Sequence, residues 1–230
     1  MTVTTEPTRD TTRHHSPPSV TRLVIGSVVG VAILAAFPLV APGYWVYFVG
    51  LLAINVVATV GLDLIVGYTG LLSMGHAAFL GVGAYTVAVL QTRWGLPIWV
   101  TLPAAGVVAA IFGVGFGLPS LRIRGLYLVI ATLAAQFILN FAFVHWDSLT
   151  NGDVGLVVQP ASIFGMLLNN EVRIYYLVVP VAAFAIWFAR NVVDSRVGRA
   201  FIAVRERDLT AAVLGIHAMR YKLYAFALGS

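Results

Sequence analysis

Long stretches without a charged residue restrict the fold of this chain more than any other feature. Asp, Glu, Lys and Arg are absent from residues 23–62, 64–92, 94–121, 125–146 and 174–189. The hydrocarbon core of a bilayer is about 30 Å thick, and about 20 apolar residues of helix cross it. Each of these runs therefore predicts one or two membrane-spanning helices.

The composition excludes a water-soluble domain. Hydrophobic residues make up 60% of the chain and charged residues only 10%, whereas soluble domains carry about 25% charged residues. The chain has no cysteine, so a disulfide framework, a thiolate metal site and a cysteine nucleophile are also excluded.

These runs predict an all-α fold, a polytopic integral membrane helix bundle. Pro42 and Gly43 divide the first run into two helices, because this pair of residues interrupts helical backbone. Six complete spans are predicted, near residues 23–40, 44–66, 73–90, 96–118, 125–144 and 174–189, and a seventh starts at Tyr221 and is cut off at Ser230.

The first 21 residues are rich in Thr and Pro and poor in apolar side chains. Such a composition predicts a disordered tail. The hydrophobic run that follows is longer than that of a signal peptide and leads directly into another span. We therefore interpret residues 22–230 as a transmembrane domain whose first helix is retained.

The positive charges predict the orientation. Positively charged loops stay in the cytoplasm, and with a cytoplasmic N-terminus only Arg93 and Arg173 of the 14 Lys and Arg residues lie outside. This assignment makes 145–173 an outer loop and 190–222 a cytoplasmic segment. The net charge of +5 is then a topology signal, so nucleic acid is not an expected partner.

A polar, glycine-rich stretch interrupts the hydrophobic sequence at residues 67–76, GYTGLLSMGH. Non-helical backbone at membrane depth is tolerated only where it is buried in protein or lines a watery cavity. We predict a broken or re-entrant segment near a solute pathway; the alternative is a short inner loop with a histidine near the interface. The candidate pathway residues are Gly67, Tyr68, Gly70, Ser73, Gly75 and His76.

Two ionisable residues, Asp63 and His76, fall within the predicted spans. Ionisable groups in spans are functional candidates, although both are near inner ends, where their side chains could instead reach the headgroups. Two rows of small residues at spacings of three and four predict close helix packing. They are Ala77, Gly81, Ala84 and Ala88, and Gly106, Ala110, Gly113 and Gly117.

The cytoplasmic segment is predicted to contain a short amphipathic helix. Asp208 is a candidate N-cap, residues 209–214 form the helix, and Gly215 ends it. Its apolar face could dock into a groove of a cytosolic partner or lie in the membrane interface.

Four motifs in this order resemble the permease subunits of branched-chain amino acid ABC transporters, the LivH/LivM group, and more closely the LivM side. The resemblance runs from about residue 51 to 230. The motifs are GLDLIVGYTG at 61–70 with SMGHAAF at 73–79 and GAY at 83–85, LRIRGLY at 121–127, TNGDVGL at 150–156, and SRVGRA at 195–200 leading to Arg205 and Glu206.

The resemblance implies a coupling loop at residues 211–215 that contacts an ATPase. The residues implied in coupling are Arg205, Glu206, Asp208, Ala211, Ala212 and Gly215. Thr210 stands where the family usually carries a glutamate, and Asn151 where it usually carries a glycine. The family has further helices after the seventh, so the resemblance predicts that the chain is a fragment or a truncated product.

The function implied is import of branched-chain amino acids across the bacterial inner membrane. The implied partners are two cytosolic ATPase subunits that bind ATP and Mg, a second permease subunit and an extracytoplasmic solute-binding protein. The only lysine, Lys222, is in no phosphate-binding glycine loop, so we expect no cofactor in this chain and no enzyme activity of its own.

Several alternatives remain at this stage. Related permeases serve urea, amides or small organic acids. A secondary transporter predicts ionisable residues deep in the spans and inverted repeats, neither of which is clear. An integral membrane enzyme would need a catalytic constellation, which is not evident, and a scaffold subunit without a pathway is the fourth possibility.

Overall fold

The computed structural model divides the chain into two units, residues 1–41 and residues 42–230. It describes residues 30, 34–121, 123, 125–158, 162, 163, 166, 167, 170–206, 211, 213 and 215–230. In the first unit, residue 30 and residues 34–40 are helical. The predicted tail at 1–21 and most of the predicted first span lie outside the described residues.

The second unit is a bundle of apolar helices. The long ones are α1 (Gly43–Asp63), which continues as a π-helix (Leu64–Tyr68), α2 (His76–Trp94), α3 (Ile98–Gly117), α4 (Leu126–His145) and α6 (Glu171–Asp194). The shorter ones are α5 (Asp147–Thr150), α7 (Arg196–Glu206), α8 (Ala218–Gly229) and the 3₁₀ turns Pro119–Leu121 and Gly152–Val154. A two-residue hairpin pairs β1 (Ser162–Ile163) with β2 (Met166–Leu167).

The all-α, multi-pass prediction is confirmed. Each of the second to sixth predicted spans corresponds to one long helix. Within the described residues, four helical segments are long and apolar enough to cross a membrane: Gly43–Tyr68, Ile98–Gly117, Leu126–His145 and Glu171–Asp194. Helix α2 is of similar length, 19 residues, but its last turns include Gln91 and Arg93. The count of six spans stays a prediction.

Large apolar side chains cover the outside of the bundle. Phe137, Ile138 and Phe141 on α4 and Trp187 on α6 are all more than 60% exposed. In water such a surface would promote aggregation. In a bilayer it is the ordinary lipid-facing side of a membrane-spanning helix.

Small residues form the contacts between helices. On α3, the buried residues recur every four positions, as Thr101, Ala105, Ala109, Gly113 and Gly117. Helix α8 packs on the end of this ridge, where a Cβ added to Gly113 would lie 2.7 Å from the carbonyl oxygen of Phe226. The predicted ridge is thus correct at Gly113 and Gly117, whereas Gly106 faces open space.

Candidate functional site at a helix break

The polar stretch between α1 and α2 is a break in the helical backbone. The end of α1 widens into the π-helix Leu64–Tyr68, residues 69–75 are not helical, and α2 begins at His76. Gly70 has a φ of +67°, which a side chain would disfavour. The non-helical backbone predicted over 67–76 is therefore present and slightly shorter.

Three carbonyl groups near the end of the π-helix find donors. The carbonyl of Ile65 accepts from the hydroxyl of Thr69 at 2.5 Å and from the N–H of Leu71 at 3.2 Å. The carbonyl of Val66 accepts from the N–H of Gly70 at 3.2 Å. The carbonyl of Gly67 accepts from Nη1 of Arg205, at 2.6 Å. A helix end requires such partners, and here one comes from α7.

Helix α7 delivers this arginine. Ser195 begins the helix, because its Oγ accepts the N–H of Val197 at 3.1 Å and donates to the carbonyl of Val192 at 2.6 Å. The turn also requires glycine at position 198, since a Cβ there would collide with the backbone of Val193. These contacts explain the Ser195–Gly198 part of the SRVGRA motif as a tight turn between α6 and α7.

The other end of the break is attached to α4 by Thr132, which is only 4% exposed. The N–H of Met74 donates to Oγ1 of Thr132 at 3.1 Å. Gly75 packs against the same residue, because an added Cβ would lie 2.6 Å from its carbonyl oxygen. The break is therefore held between α7 and α4.

Two polar side-chain atoms in this region have no hydrogen-bond partner among the described residues. They are Oγ of Ser73 and Nδ1 of His76, and both atoms are buried. An unpaired buried polar group costs about 1–3 kcal/mol, so native proteins retain such groups mainly where water or a ligand satisfies them.

His76 also lines a cavity of about 190 Å³ between α1, α6 and α8. Most of its lining is apolar, including Val57, Leu80 and Phe188. A close approach of two glycines forms one wall, since a Cβ on Gly229 would lie 2.6 Å from the carbonyl oxygen of Gly61. The cavity is thus an apolar space with an imidazole at its edge.

A second, more polar cavity of about 350 Å³ adjoins the first. It is lined by Asp63, Tyr68, Arg190 and Asp194, and the two cavities share Val60, Leu64 and Ala189. The carboxylate of Asp63 lies against the Cα of Gly67. Asp63 therefore faces a polar space between α1 and α6.

The six predicted pathway residues come together around the break. Gly67 and Tyr68 end the π-helix, Gly70 and Ser73 lie in the non-helical stretch, Gly75 is the N-cap of α2, and His76 is its first residue. Sequence reasoning missed Thr132. The sequence shows only a hydroxyl within an apolar span. That pattern does not indicate that its hydrogen-bond partner, Met74, is 58 positions away.

The predicted coupling residues are described in part. Arg205 and Glu206 end α7. The N–H of Ile216 donates to the carbonyl of Ala211 at 2.9 Å, and Gly215 has a φ of +78°. This is the pattern that ends a helix at a glycine, as predicted for Gly215. Asp208 and Ala212 lie outside the described residues.

The TNGDVGL motif forms a second irregular segment, after α4. The hydroxyl of Thr150 donates to the carbonyl of Phe143 at 2.6 Å and accepts the N–H of Gly152 at 3.4 Å. Asn151 has a φ of 63°, and its Nδ2 donates to the carbonyl of Gly155 at 3.1 Å. Asparagine tolerates this left-handed conformation, which otherwise favours glycine.

Arg93 joins this turn to α2, because its Nη2 donates to the carbonyl of Ser148. The segment is therefore a closed structural turn. Among the described residues, no group of three or more His, Asp or Glu side chains could hold a metal ion.

Comparison with known proteins gives one family. The family described as "Branched-chain amino acid transport system / permease component" matches residues 44–230. The chain is 29% identical to the high-affinity branched-chain amino acid transport system permease protein LivM of Escherichia coli (strain K12), over 88% of this chain and 54% of that protein.

The protein of the same name from Salmonella typhimurium is also 29% identical, over 77% of this chain and 47% of that protein. The chain thus spans about half the length of the curated relatives it matches. No solved structure matches it.

Proposed function

The chain belongs to the family of permease components of branched-chain amino acid transport systems, and on this premise we propose that it is a transmembrane subunit of an importer powered by ATP hydrolysis on partner subunits. The observation that carries the proposal is the helix break. It leaves the unpaired polar atoms of Ser73 and His76 inside an apolar bundle, and His76 lines a cavity there.

The break is proposed to line the translocation pathway, through Gly67, Tyr68, Gly70, Ser73, Gly75 and His76. Broken helices near the bilayer midplane form the substrate sites of many transporters, because their free backbone and polar groups can replace water around a solute. The unpaired atoms of Ser73 and His76 are suited to this role. The apolar cavity beside His76 is suited to an aliphatic side chain.

The energy is proposed to come from two cytosolic ATPase subunits that bind ATP and Mg, with a second permease subunit completing the pathway. An extracytoplasmic binding protein delivers the amino acid. The permease then alternates between outward and inward access, and nucleotide and binding protein must each favour a different state. The segment from Arg205 to Gly215, including Glu206, Asp208, Ala211 and Ala212, is proposed to carry the ATPase motion.

The proposed location is the bacterial inner membrane with a cytoplasmic N-terminus. Support comes from the distribution of Lys and Arg, which leaves only Arg93 and Arg173 on the outer side.

The test is ATP-dependent uptake by the complete permease, purified with its ATPases and second permease and reconstituted in vesicles with the binding protein. We expect uptake of leucine, isoleucine and valine that requires hydrolysable ATP and stops with a non-hydrolysable analogue. Uptake driven by an ion gradient without ATP would contradict the proposal and indicate a secondary transporter. Preferential uptake of urea, an amide or an organic acid would contradict the substrate assignment alone.

A further inference from the structure

We propose that Arg205 is a positioning residue inside the permease, which ties the cytoplasmic helix α7 to the helix break so that movement of α7 reaches the pathway. The inference deepens the proposed function and rests on it. It gives Arg205 an intramolecular role, in place of the contact with an ATPase that its position in the sequence implies.

The guanidinium of Arg205 binds a carbonyl in the last turn of the π-helix. Its Nη1 lies 2.6 Å from the oxygen of Gly67, across a sequence separation of 138 residues. A hydrogen bond from a charged donor is short and strong compared with a neutral one. The N–H groups of Gly70 and Leu71 do not compete for this carbonyl, because they donate to the carbonyls of Val66 and Ile65.

The aliphatic part of the same side chain lies on Gly70. A Cβ added to Gly70 would be 3.0 Å from Cγ of Arg205 and 3.7 Å from its Cβ. The conformation of Gly70 (φ of +67°) and the absence of its side chain therefore let the arginine approach. The guanidinium of Arg205 thus contacts the π-helix at residue 67, and its aliphatic stem contacts the break at residue 70.

The position of Arg205 is fixed by the buried face of helix α7. Phe201 is fully buried and Val204, next to Arg205, is 4% exposed. Phe201 also packs edge-to-face on Tyr221 of α8, with ring centroids 6.3 Å apart. Helix α7 therefore has a fixed buried face from which Arg205 extends, and the segment to Ala211 and Gly215 follows it directly.

The break also contacts α4 at its other end. Its far end is fixed to α4 by the hydrogen bond from Met74 to Thr132, and Ser73 and His76 lie at that end. A continuous series of contacts thus joins α7, Arg205, the break and α4. Spatial continuity alone does not establish coupling, so the test must measure a change of state at the break.

The test uses the complete permease with its ATPases, second permease and binding protein. This chain contains no cysteine, so Met74→Cys, at a side chain that is 62% exposed, gives a reporter in the break once any cysteines elsewhere in the permease have been replaced. Its rate of reaction with a maleimide is measured without nucleotide and after trapping with ATP and vanadate. We expect the two rates to differ by about fivefold.

Arg205→Ala should remove this nucleotide-dependent difference and lower the number of substrate molecules transported per ATP by about fivefold, while the ATPases still copurify and hydrolyse ATP. Arg205→Lys, which retains a charged donor, should restore at least part of both. The matched control is Arg199→Ala on the exposed side of α7, which should behave as the unmodified permease.

Gly70→Ala is a second variant that keeps the arginine and crowds its stem, and it should reduce the labelling difference as Arg205→Ala does. If Arg205→Ala loses the ATPases, the arginine belongs to the ATPase surface and the inference is wrong, with the proposed function intact. If both variants match Arg199→Ala, the inference is also wrong. If the unmodified permease shows no ATP-dependent uptake, the proposed function fails and the inference fails with it.

Discussion

The break at residues 69–75 and the turn at residues 146–155 are both irregular, glycine-containing segments next to apolar helices, yet they are stabilised differently. In the turn, the hydrogen bonds of Thr150 and Asn151 lie between Phe143 and Gly155, and the bond from Arg93 adds a contact from α2. In the break, the bonds that fix its two ends come from Thr132 and Arg205, 58 and 138 positions away.

The two segments also differ in what they leave unpaired. The hydroxyl of Thr150 has both a donor and an acceptor role filled, whereas Ser73 Oγ and His76 Nδ1 have no partner among the described residues. A turn whose buried hydroxyl is fully paired serves to end a helix. A segment held by distant helices, with free polar atoms, can change when those helices move and can meet a solute.

The largest effect is expected from Gly75→Ala in the complete permease. The added Cβ would lie 2.6 Å from the carbonyl oxygen of Thr132, and two backbones cannot separate cheaply. We expect uptake to fall by about tenfold or more and the thermal midpoint to fall by several degrees, about what 1–3 kcal/mol of destabilisation produces.

Gly83→Ala, on the same helix, is the matched control, because nothing lies within 4 Å of a Cβ there. Uptake and thermal midpoint should both stay close to the unmodified values. Equal behaviour of the two variants would show that the contact between the break and α4 does not hold α2 in place.

A smaller effect, on function alone, is expected from Ser73→Ala. This change removes a hydroxyl without a partner, so the free energy of unfolding should stay unchanged or rise slightly. If the hydroxyl contacts the solute, uptake should fall by about threefold to tenfold, the loss of one hydrogen bond of about 1 kcal/mol. Normal uptake would remove Ser73 from the pathway.

The smallest effect on transport is expected from Thr150→Val, which should lower stability and spare function. Thr150 is 2% exposed, and its loss leaves the carbonyl of Phe143 without this donor, at a cost of about 1–3 kcal/mol. Uptake per folded molecule should be normal. Thr59→Val is the control, since among the described residues the hydroxyl of Thr59 bonds within its own helix, to the carbonyl of Asn55 at 2.8 Å. A transport defect in folded Thr150→Val would contradict the contrast between the two segments.

The helices were predictable because one physical rule, the absence of charge, sets membrane spans. The predicted span 44–66 became Gly43–Tyr68. Helix α8 begins at Ala218, three residues before Tyr221, where the seventh hydrophobic segment is predicted to start. Lys222 is in fact 6% exposed, which a count of charges cannot indicate.

The candidate site was predictable in position but not in partners. The clustered glycines and hydroxyls at 67–76 indicated a break in the helical backbone, which at membrane depth must be buried in protein or line a cavity. The π-helix before it and the contacts with Thr132 and Arg205 were missed. These depend on how α4 and α7 pack, and no local pattern in the sequence specifies a contact across 58 or 138 residues.

The contact between Asp63 and Gly67 has a consequence for how the sequences of related permeases can vary. The carboxylate of Asp63 occupies the space where a side chain at position 67 would begin. Asparagine has the same shape as aspartate, so either residue at position 63 can pack against a glycine at position 67. A larger residue at position 67 would clash with either of them. The two positions should therefore change together through evolution, and a collection of related sequences should show paired substitutions one helical turn apart.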